Sequence, residues 1–254
     1  MLRTVARKAH GRIAGFRAGY KDAKQEWNKG LAEEVTFWRA YLASGGEPWP
    51  DDFRRRMSPS SKLEEHVARY IAAPTGSAVR ILDVGAGPLT SLGKTHPDFD
   101  VTISATDALS DVYAQLIDET GVEPPVRTQQ CEAEHLTGMF GRGEFDVVHM
   151  RNALDHTYDP VQAIRQMAVV TKPQGAVVLQ HYRNEAEREK YHGLHQWNLS
   201  VNAAGRFIIS RPRRPWGLET RDVANEVADT LELVSTSDAH DEPEMDFVVF
   251  RRRA

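Results

Sequence analysis

The sequence predicts an α/β domain: a doubly wound, mostly parallel seven-stranded sheet with a C-terminal antiparallel hairpin and an N-terminal helical cap. Three observations predict it. From Val79 onward, short apolar runs of strand length alternate with amphipathic segments, the texture of βαβ units with right-handed crossovers. The first apolar run ends in a glycine-bearing turn, Asp83-Val84-Gly85-Ala86-Gly87-Pro88. The last two, Leu231 to Ser235 and Phe247 to Arg251, are joined by an acidic loop and should pair as an antiparallel hairpin.

A chain of 254 residues suits one catalytic domain with an added helical layer. We divide it into a cap over residues 1–75 and a domain over residues 76–254, with an insert over 183–216. A hydrophobic fraction of 41% is enough for a core. No apolar run approaches the roughly 20 residues of a membrane span, and charged residues interrupt the N-terminus where a secretory signal would be apolar. The single cysteine, Cys131, cannot form an internal disulfide, which fits a reducing cytoplasm as the expected location. A formal net charge of −4 argues against a nucleic-acid partner.

In the first stretch, up to about Asn28, Leu2, Val5, Ala9, Ile13, Phe16 and Tyr20 recur at helical spacing among Arg3, Arg7, Lys8, Arg12 and Arg17. Such a helix packs on its own domain or on a second subunit of a homodimer. The alternative is peripheral membrane contact through residues 1–28. A second helix is expected from about Gly30 to Leu42, broken by Gly45-Gly46-Glu47-Pro48-Trp49-Pro50, and a third from about Lys62 to Ala72.

The strands follow. Val79 to Val84 is the first and Val101 to Thr106 the second, with a helix from about Asp111 to Thr120 after it. Val126 to Cys131 is a weak third strand and Phe145 to Met150 a fourth, followed by a helix from Pro160 to about Thr171. Pro173-Gln174-Gly175 turns the chain into a fifth, Ala176 to Gln180. The insert holds a local hairpin, Trp197 to Val201 and Arg206 to Ser210, and its position at the ligand end of the sheet reads as a lid over the substrate.

A G-x-G turn lets backbone approach a ligand where a Cβ would collide. The dinucleotide fingerprint needs a third glycine, and Thr90 stands at that position, which argues against a nicotinamide or flavin enzyme. Asp83, two residues before Gly85, suits a ligand with a cationic amine better than a pyrophosphate. Over roughly Leu63 to Phe250 the chain resembles the class I methyltransferases that use S-adenosylmethionine (SAM). The resemblance implies that Asp83, Gly85, Ala86 and Gly87 hold the methionine part of SAM. It implies that Asp107, followed by Ala108, ends the second strand at the ribose hydroxyls. Glu132 and Ala133, after the third strand, would read the adenine, and Arg151 and Asn152 would border the methionine. Pro88 departs from the family's frequent third glycine. Taken singly, Asp83 could instead cap a helix and Asp107 could be an ordinary turn acid.

The text after the fourth strand narrows the chemistry. The [N/D]-P-P-[Y/F] motif of many amino-group methyltransferases is missing. Arg151-Asn152-Ala153-Leu154-Asp155-His156-Thr157-Tyr158-Asp159-Pro160 stands there instead and resembles small-molecule O- and C-methyltransferases. A hydroxyl must lose its proton as it attacks the sulfonium methyl, so His156 is the first candidate base, with Asp155 orienting it and His181 the next candidate. A structural role for His156 is the alternative. Asp155, Asn184 and Glu185 follow the fourth and fifth strands, where metal-dependent O-methyltransferases hold Mg²⁺, and oxygen ligands are what Mg²⁺ takes. A polar rim that only binds substrate is the alternative. His192-Gly193-Leu194-His195 offers two zinc-type ligands but no third in register, so His192 and His195 are assigned to the lid.

Aromatic residues, among them Trp27, Phe37, Trp38, Tyr41, Trp49 and Trp197, concentrate outside the sheet. With Trp27-Asn28-Lys29-Gly30-Leu31 and the Asp155-His156-Thr157-Tyr158-Asp159-Pro160 stretch, they give a resemblance to bacterial saccharide-modifying enzymes, such as actinobacterial sugar O-methyltransferases of methylmannose polysaccharides. The expected activity is methylation of a hydroxyl on a saccharide or similar polyol. The alternatives are a polyketide, quinone or lipid acceptor, and a catalytically silent SAM-binding partner protein.

Overall fold

The computed structural model describes residues 24–25, 27–212, 217–239 and 242–254. The basic helix expected up to about Asn28 therefore lies, as far as residue 23, outside the described residues, together with the membrane and dimer roles attached to it.

The main sheet has seven strands in the order β3-β2-β1-β4-β5-β10-β9. They are β1 (Ala78–Val84), β2 (Asp100–Asp107), β3 (Thr128–Gln130), β4 (Phe145–Arg151), β5 (Thr171–Tyr182), β9 (Leu231–Ala239) and β10 (Glu242–Arg252). β1 pairs in parallel with β2 on one side, Ile81 opposite Ile103, and with β4 on the other, Ile81 opposite Val147. β10 runs antiparallel to both β5 and β9. This is the Rossmann-like fold the alternating texture implied. β1 and β4 read as near-continuous apolar runs because helices and cap cover both their faces; Val79, Ile81, Leu82, Val84, Val147 and Val148 are fully buried. β3 is shorter than expected because Thr128-Gln129-Gln130 offers the edge no apolar face. β5 starts early, at Thr171: Pro173-Gln174-Gly175 is absorbed as a register shift against β4.

In the cap, a helix over residues 27–43 (α1) lays Trp38, Tyr41 and Leu42 against Leu109, Tyr113 and Leu116 of the region around α4 (Ser110–Thr120). A second helix, α2 (Pro50–Met57), was not foreseen. The proline read only as a breaker also opens it, its missing N–H being harmless at a first turn. The helix expected over Lys62 to Ala72 shrinks to α3 (Glu65–Ala68). Its first residues are diverted into backbone pairing with the turn after β1, Leu63 N–H donating to the Thr95 carbonyl at 2.8 Å.

The insert folds as a three-stranded antiparallel sheet of β6 (Asn198–Val201), β7 (Phe207–Pro212) and β8 (Leu218–Asp222). The hairpin was expected and β8 was not. Trp197, Leu199, Phe207 and Ile209 from this sheet join the main core beside α5 (Pro160–Val170). Trp197 also fastens the insert to the loop after β4, its Nε1–H donating to the Thr157 carbonyl at 2.9 Å. Trp197→Phe keeps most of the apolar contact and orphans that carbonyl, so it should lower the unfolding free energy by about 1–3 kcal/mol; Trp197→Ala should cost about 3–5 kcal/mol. Urea denaturation checks both, and a Phe variant as stable as the parent would remove the hydrogen bond from the account.

Candidate active site

A cavity of 1590 Å³ opens at the C-terminal edge of the sheet, between the strand ends, α1 and the insert. Its floor is the turn after β1. Gly85 (φ +67°) and Gly87 (φ +62°) adopt the left-handed region, and a Cβ on either would lie 2.4 Å from Ala153 or 2.5 Å from the Trp38 ring. The turn is tied to β2: Ala86 N–H donates to the Thr106 carbonyl and Gly87 N–H to Asp107 Oδ2, both at 3.0 Å. Asp107 Oδ1 accepts from Leu109 N–H at 2.8 Å. Burial pushes the Asp107 carboxyl up to about 6, against the pull of those two backbone donors. Asp83 is buried and held within the protein, accepting from the Thr90 hydroxyl at 2.5 Å and lying 2.8 Å from His149 Nδ1. Thr90, at the position of a third glycine, thus ties the turn to the carboxylate.

Beyond β3, Cys131 and Ala133 line the cavity, and Ala108 does so after β2. Glu132 is turned to other partners. It accepts from Lys24 Nζ at 2.7 Å and from the Tyr158 hydroxyl at 2.8 Å. Burial opposes its charge, but these hydrogen bonds hold its carboxyl below the usual range. Sequence reasoning missed Glu134, which accepts from the backbone N–H groups of Tyr158 and Asp159 and so shapes the loop after β4; burial pushes it up to about 7. Arg151 and Asn152 line the cavity at the end of β4. Asn152 takes a left-handed φ of +48°, and its side-chain oxygen accepts from Tyr182 N–H.

The loop after β4 carries the polar centre. Asp155 is buried, and its Oδ2 lies 2.8 Å from His195 Nδ1 and 3.5 Å from His156 Nε2. The two imidazoles meet at 3.2 Å. Burial acts to raise the Asp155 carboxyl, but His156 and His195 outweigh it and hold it below its ordinary range. Burial likewise acts to lower His195, and Asp155 overrides it upward. Glu34 of α1 approaches His156 Nδ1 at 4.0 Å and is held by Trp38 Nε1–H at 2.7 Å. His195 is the residue that sequence reasoning misplaced. It belongs to the segment read as a lid, 39 positions from His156, so no local spacing connects the two.

Of the other expected residues, His181 is buried behind Asp155 and does not line the cavity. Burial drives its imidazole down to about 3, so it is neutral. Glu185 does line the cavity, and burial with the nearby Asp155 charge pushes it up to about 7. Asn184 lines a separate cleft with Arg183, Arg188 and Glu244. The all-oxygen set expected for Mg²⁺ is therefore not assembled: the backbone turn into α6 (Glu185–Arg188) aims Asn184 away from Asp155.

Residues 82–179 match the family described as a methyltransferase domain. The matched span runs from β1 into β5, so it holds the glycine turn, Asp107 and the Asp155-His156 pair. An uncharacterized methyltransferase, YcgJ of Bacillus subtilis (strain 168), is 35% identical over 113 residues, spanning 42% of this chain and 42% of that protein. The chain thus matches under half the length of that relative. Among solved structures, a chain of the complex between the Haloferax volcanii Trm112 methyltransferase activator and the putative methyltransferase superposes with a TM-score of 0.52 at 13% identity. The match covers 85% of this chain and 97% of that one, and it shows the fold. The Burkholderia thailandensis 1,6-didemethyltoxoflavin-N1-methyltransferase, solved with S-adenosylhomocysteine, gives a TM-score of 0.48 at 16% identity, covering 91% and 90% of the two chains.

Asp107 yields a pH test. If the ribose hydroxyls of SAM are held at Asp107, its carboxylate would accept them above about 6, and the protonated acid below that would do so less well. SAM affinity should fall by up to about tenfold per pH unit below that point, and Asp107→Asn should bind weakly with a flat profile. Calorimetry between mildly acidic and neutral pH checks it; a parent profile as flat as the variant's would move the ribose site elsewhere.

Proposed function

We propose that this chain is a SAM-dependent O-methyltransferase acting on a hydroxyl of a saccharide or similar polyol. The observation that carries the reading is the Asp155-His156-His195 cluster, whose two imidazoles line the cavity that the glycine turn floors. In this reading residues 76–254 form the catalytic unit, while the cap over 1–75 and the insert over 183–216 build the acceptor side.

When bound, SAM supplies an electrophilic methyl group on a sulfonium. The cradle fits it: the glycine turn admits close approach, Asp107 offers acceptors for ribose hydroxyls, and Cys131 and Ala133 line the cavity where the adenine would lie. A neutral amine attacks with its own lone pair and needs no proton acceptor in that step. A hydroxyl does, because its proton must leave as the O–CH₃ bond forms and the S–CH₃ bond breaks. The cluster of one carboxylate and two imidazoles provides that acceptor. Were the chain a silent SAM-binding partner, a buried carboxylate braced against two imidazoles would be a cost without a use.

The rest of the wall favours a polyhydroxylated acceptor over a polyketide, quinone or lipid. Phe37 and Trp49 line the cavity and remain 45% and 56% exposed, giving apolar faces for a sugar ring. Glu34 and Glu185 line it too and offer acceptors for hydroxyls.

His156→Ala should lower kcat by about 10²–10⁴-fold while SAM affinity stays near the parent value, and His195→Ala should act in the same direction. The assay follows methyl transfer from SAM to short mannosides, glucosides, quinones and primary amines. Transfer confined to amines, or His156→Ala turning over at the parent rate, would overturn the hydroxyl reading.

A further inference from the structure

We infer that Asp155, His156 and His195 form a binding site for a divalent transition-metal ion, with open coordination positions facing the acceptor. This deepens the O-methyltransferase reading and rests on it for the role of the metal, though not for its binding.

The geometry is the first argument. Asp155 Oδ2, His195 Nδ1 and His156 Nε2 are 2.8, 3.2 and 3.5 Å apart in pairs. Atoms so spaced lie on a circle of radius about 1.9 Å, so an ion bonded to each at about 2.0–2.1 Å would sit about 1 Å above their plane. These are the separations expected of neighbouring ligands around one metal. Proton counting is the second argument. With neutral rings, at most two protons lie among the three atoms. A proton on His195 Nδ1 that serves Asp155 leaves His156 Nε2 and Asp155 Oδ2 as lone pair against lone pair; a proton on each ring aims two N–H groups at one carboxylate oxygen and leaves the contact between the imidazoles without a hydrogen bond. A cation satisfies all three atoms at once.

The surroundings supply independent support. Asp155 Oδ1 is buried and has no hydrogen-bond partner among the described residues, an orphaned carboxylate oxygen beside the converging atoms. It is available as a second bond from the same residue. The far nitrogen of His156 faces Glu34, itself fixed by Trp38, the kind of outer carboxylate that orients a ligating imidazole. The two ligand segments are clasped before any ion arrives, because Gln196 N–H donates to the Asp155 carbonyl at 3.1 Å. Trp197, next along, is locked to Thr157.

The donor set names the class of ion. Two imidazoles and one carboxylate suit Zn²⁺, Mn²⁺, Fe²⁺ or Co²⁺, whereas Mg²⁺ takes oxygen. His156 and His195 both line the cavity, so the unligated side of the ion faces the acceptor. An acceptor hydroxyl bound there loses its proton to solvent water more readily, and its oxygen is held for attack. With the ion in place His156 acts as a ligand rather than as a free base.

The test begins on the free protein, stripped with a chelator and dialysed. Titration with Co²⁺ and with Zn²⁺, followed by calorimetry and by the visible absorption of bound Co²⁺, should give one saturable site per chain, and Mg²⁺ should not compete for it. Asp155→Asn and His195→Gln, with unchanged circular dichroism, should abolish the Co²⁺ spectrum. Glu34→Gln should weaken binding roughly 10–100-fold. His192→Ala, which removes an exposed imidazole beside Glu33, should leave binding intact. Absence of saturable Co²⁺ or Zn²⁺ binding, or binding unchanged in both ligand variants, overturns the site. Full hydroxyl methylation by the stripped protein overturns the metal's role in the reaction and leaves the O-methyltransferase reading standing. Failure of every hydroxyl acceptor would instead sink that reading while the titration stood.

Discussion

The constraint on which the rest depends is the place of β1 between β2 and β4. Successive strands β1, β2 and β3 step outward one way; the chain then returns and lays β4 on the other flank of β1. The loops leaving β1 and β4 therefore diverge and leave a crevice between them. The glycine turn, Asp107 and the Asp155-His156 loop all line that opening or lie directly behind it. They are far apart in sequence and adjacent because the sheet order reverses there.

A second constraint follows from burying Asp155. A carboxylate taken out of water must find charge or hydrogen-bond donors, and neighbours on its own loop are not enough. His195 answers that need from the insert, which is why the insert cannot be a loosely attached flap. Its small sheet sends Trp197, Leu199, Phe207 and Ile209 into the main core, and Trp197 grips the loop that carries Asp155. Packing and electrostatics here cooperate: the same segment that fills the core delivers the imidazole. The cap contributes in the same manner, since α1 brings Trp38 against Gly87 and Glu34 toward His156.

Much of this architecture was legible in the amino-acid order. Strand period, the Asp83-to-Pro88 turn and the C-terminal hairpin are local signals, written within a few residues, and they define the strands and the mostly parallel sheet. Asp107 and the Asp155-His156 pair were likewise readable, because strand ends in a parallel sheet all deliver their next residues to one edge. Proline punctuation was ambiguous. Pro50, read only as part of a break, opens α2, and the packing of α2 on the turn after β1 decides that use.

What the sequence by itself determined is therefore the fold, the edge at which ligands gather and the turn that floors the cavity, because these follow from local backbone preferences and apolar periodicity. The tertiary structure alone decided the composition of the polar centre. It brought His195 to Asp155 across 40 positions, turned Asn184 into a different cleft, buried His181 out of reach and engaged Glu132 with Lys24 and Tyr158. Those outcomes depend on how the insert and cap pack, and a contact between distant segments is set by the sum of many weak apolar interactions, which no short motif records.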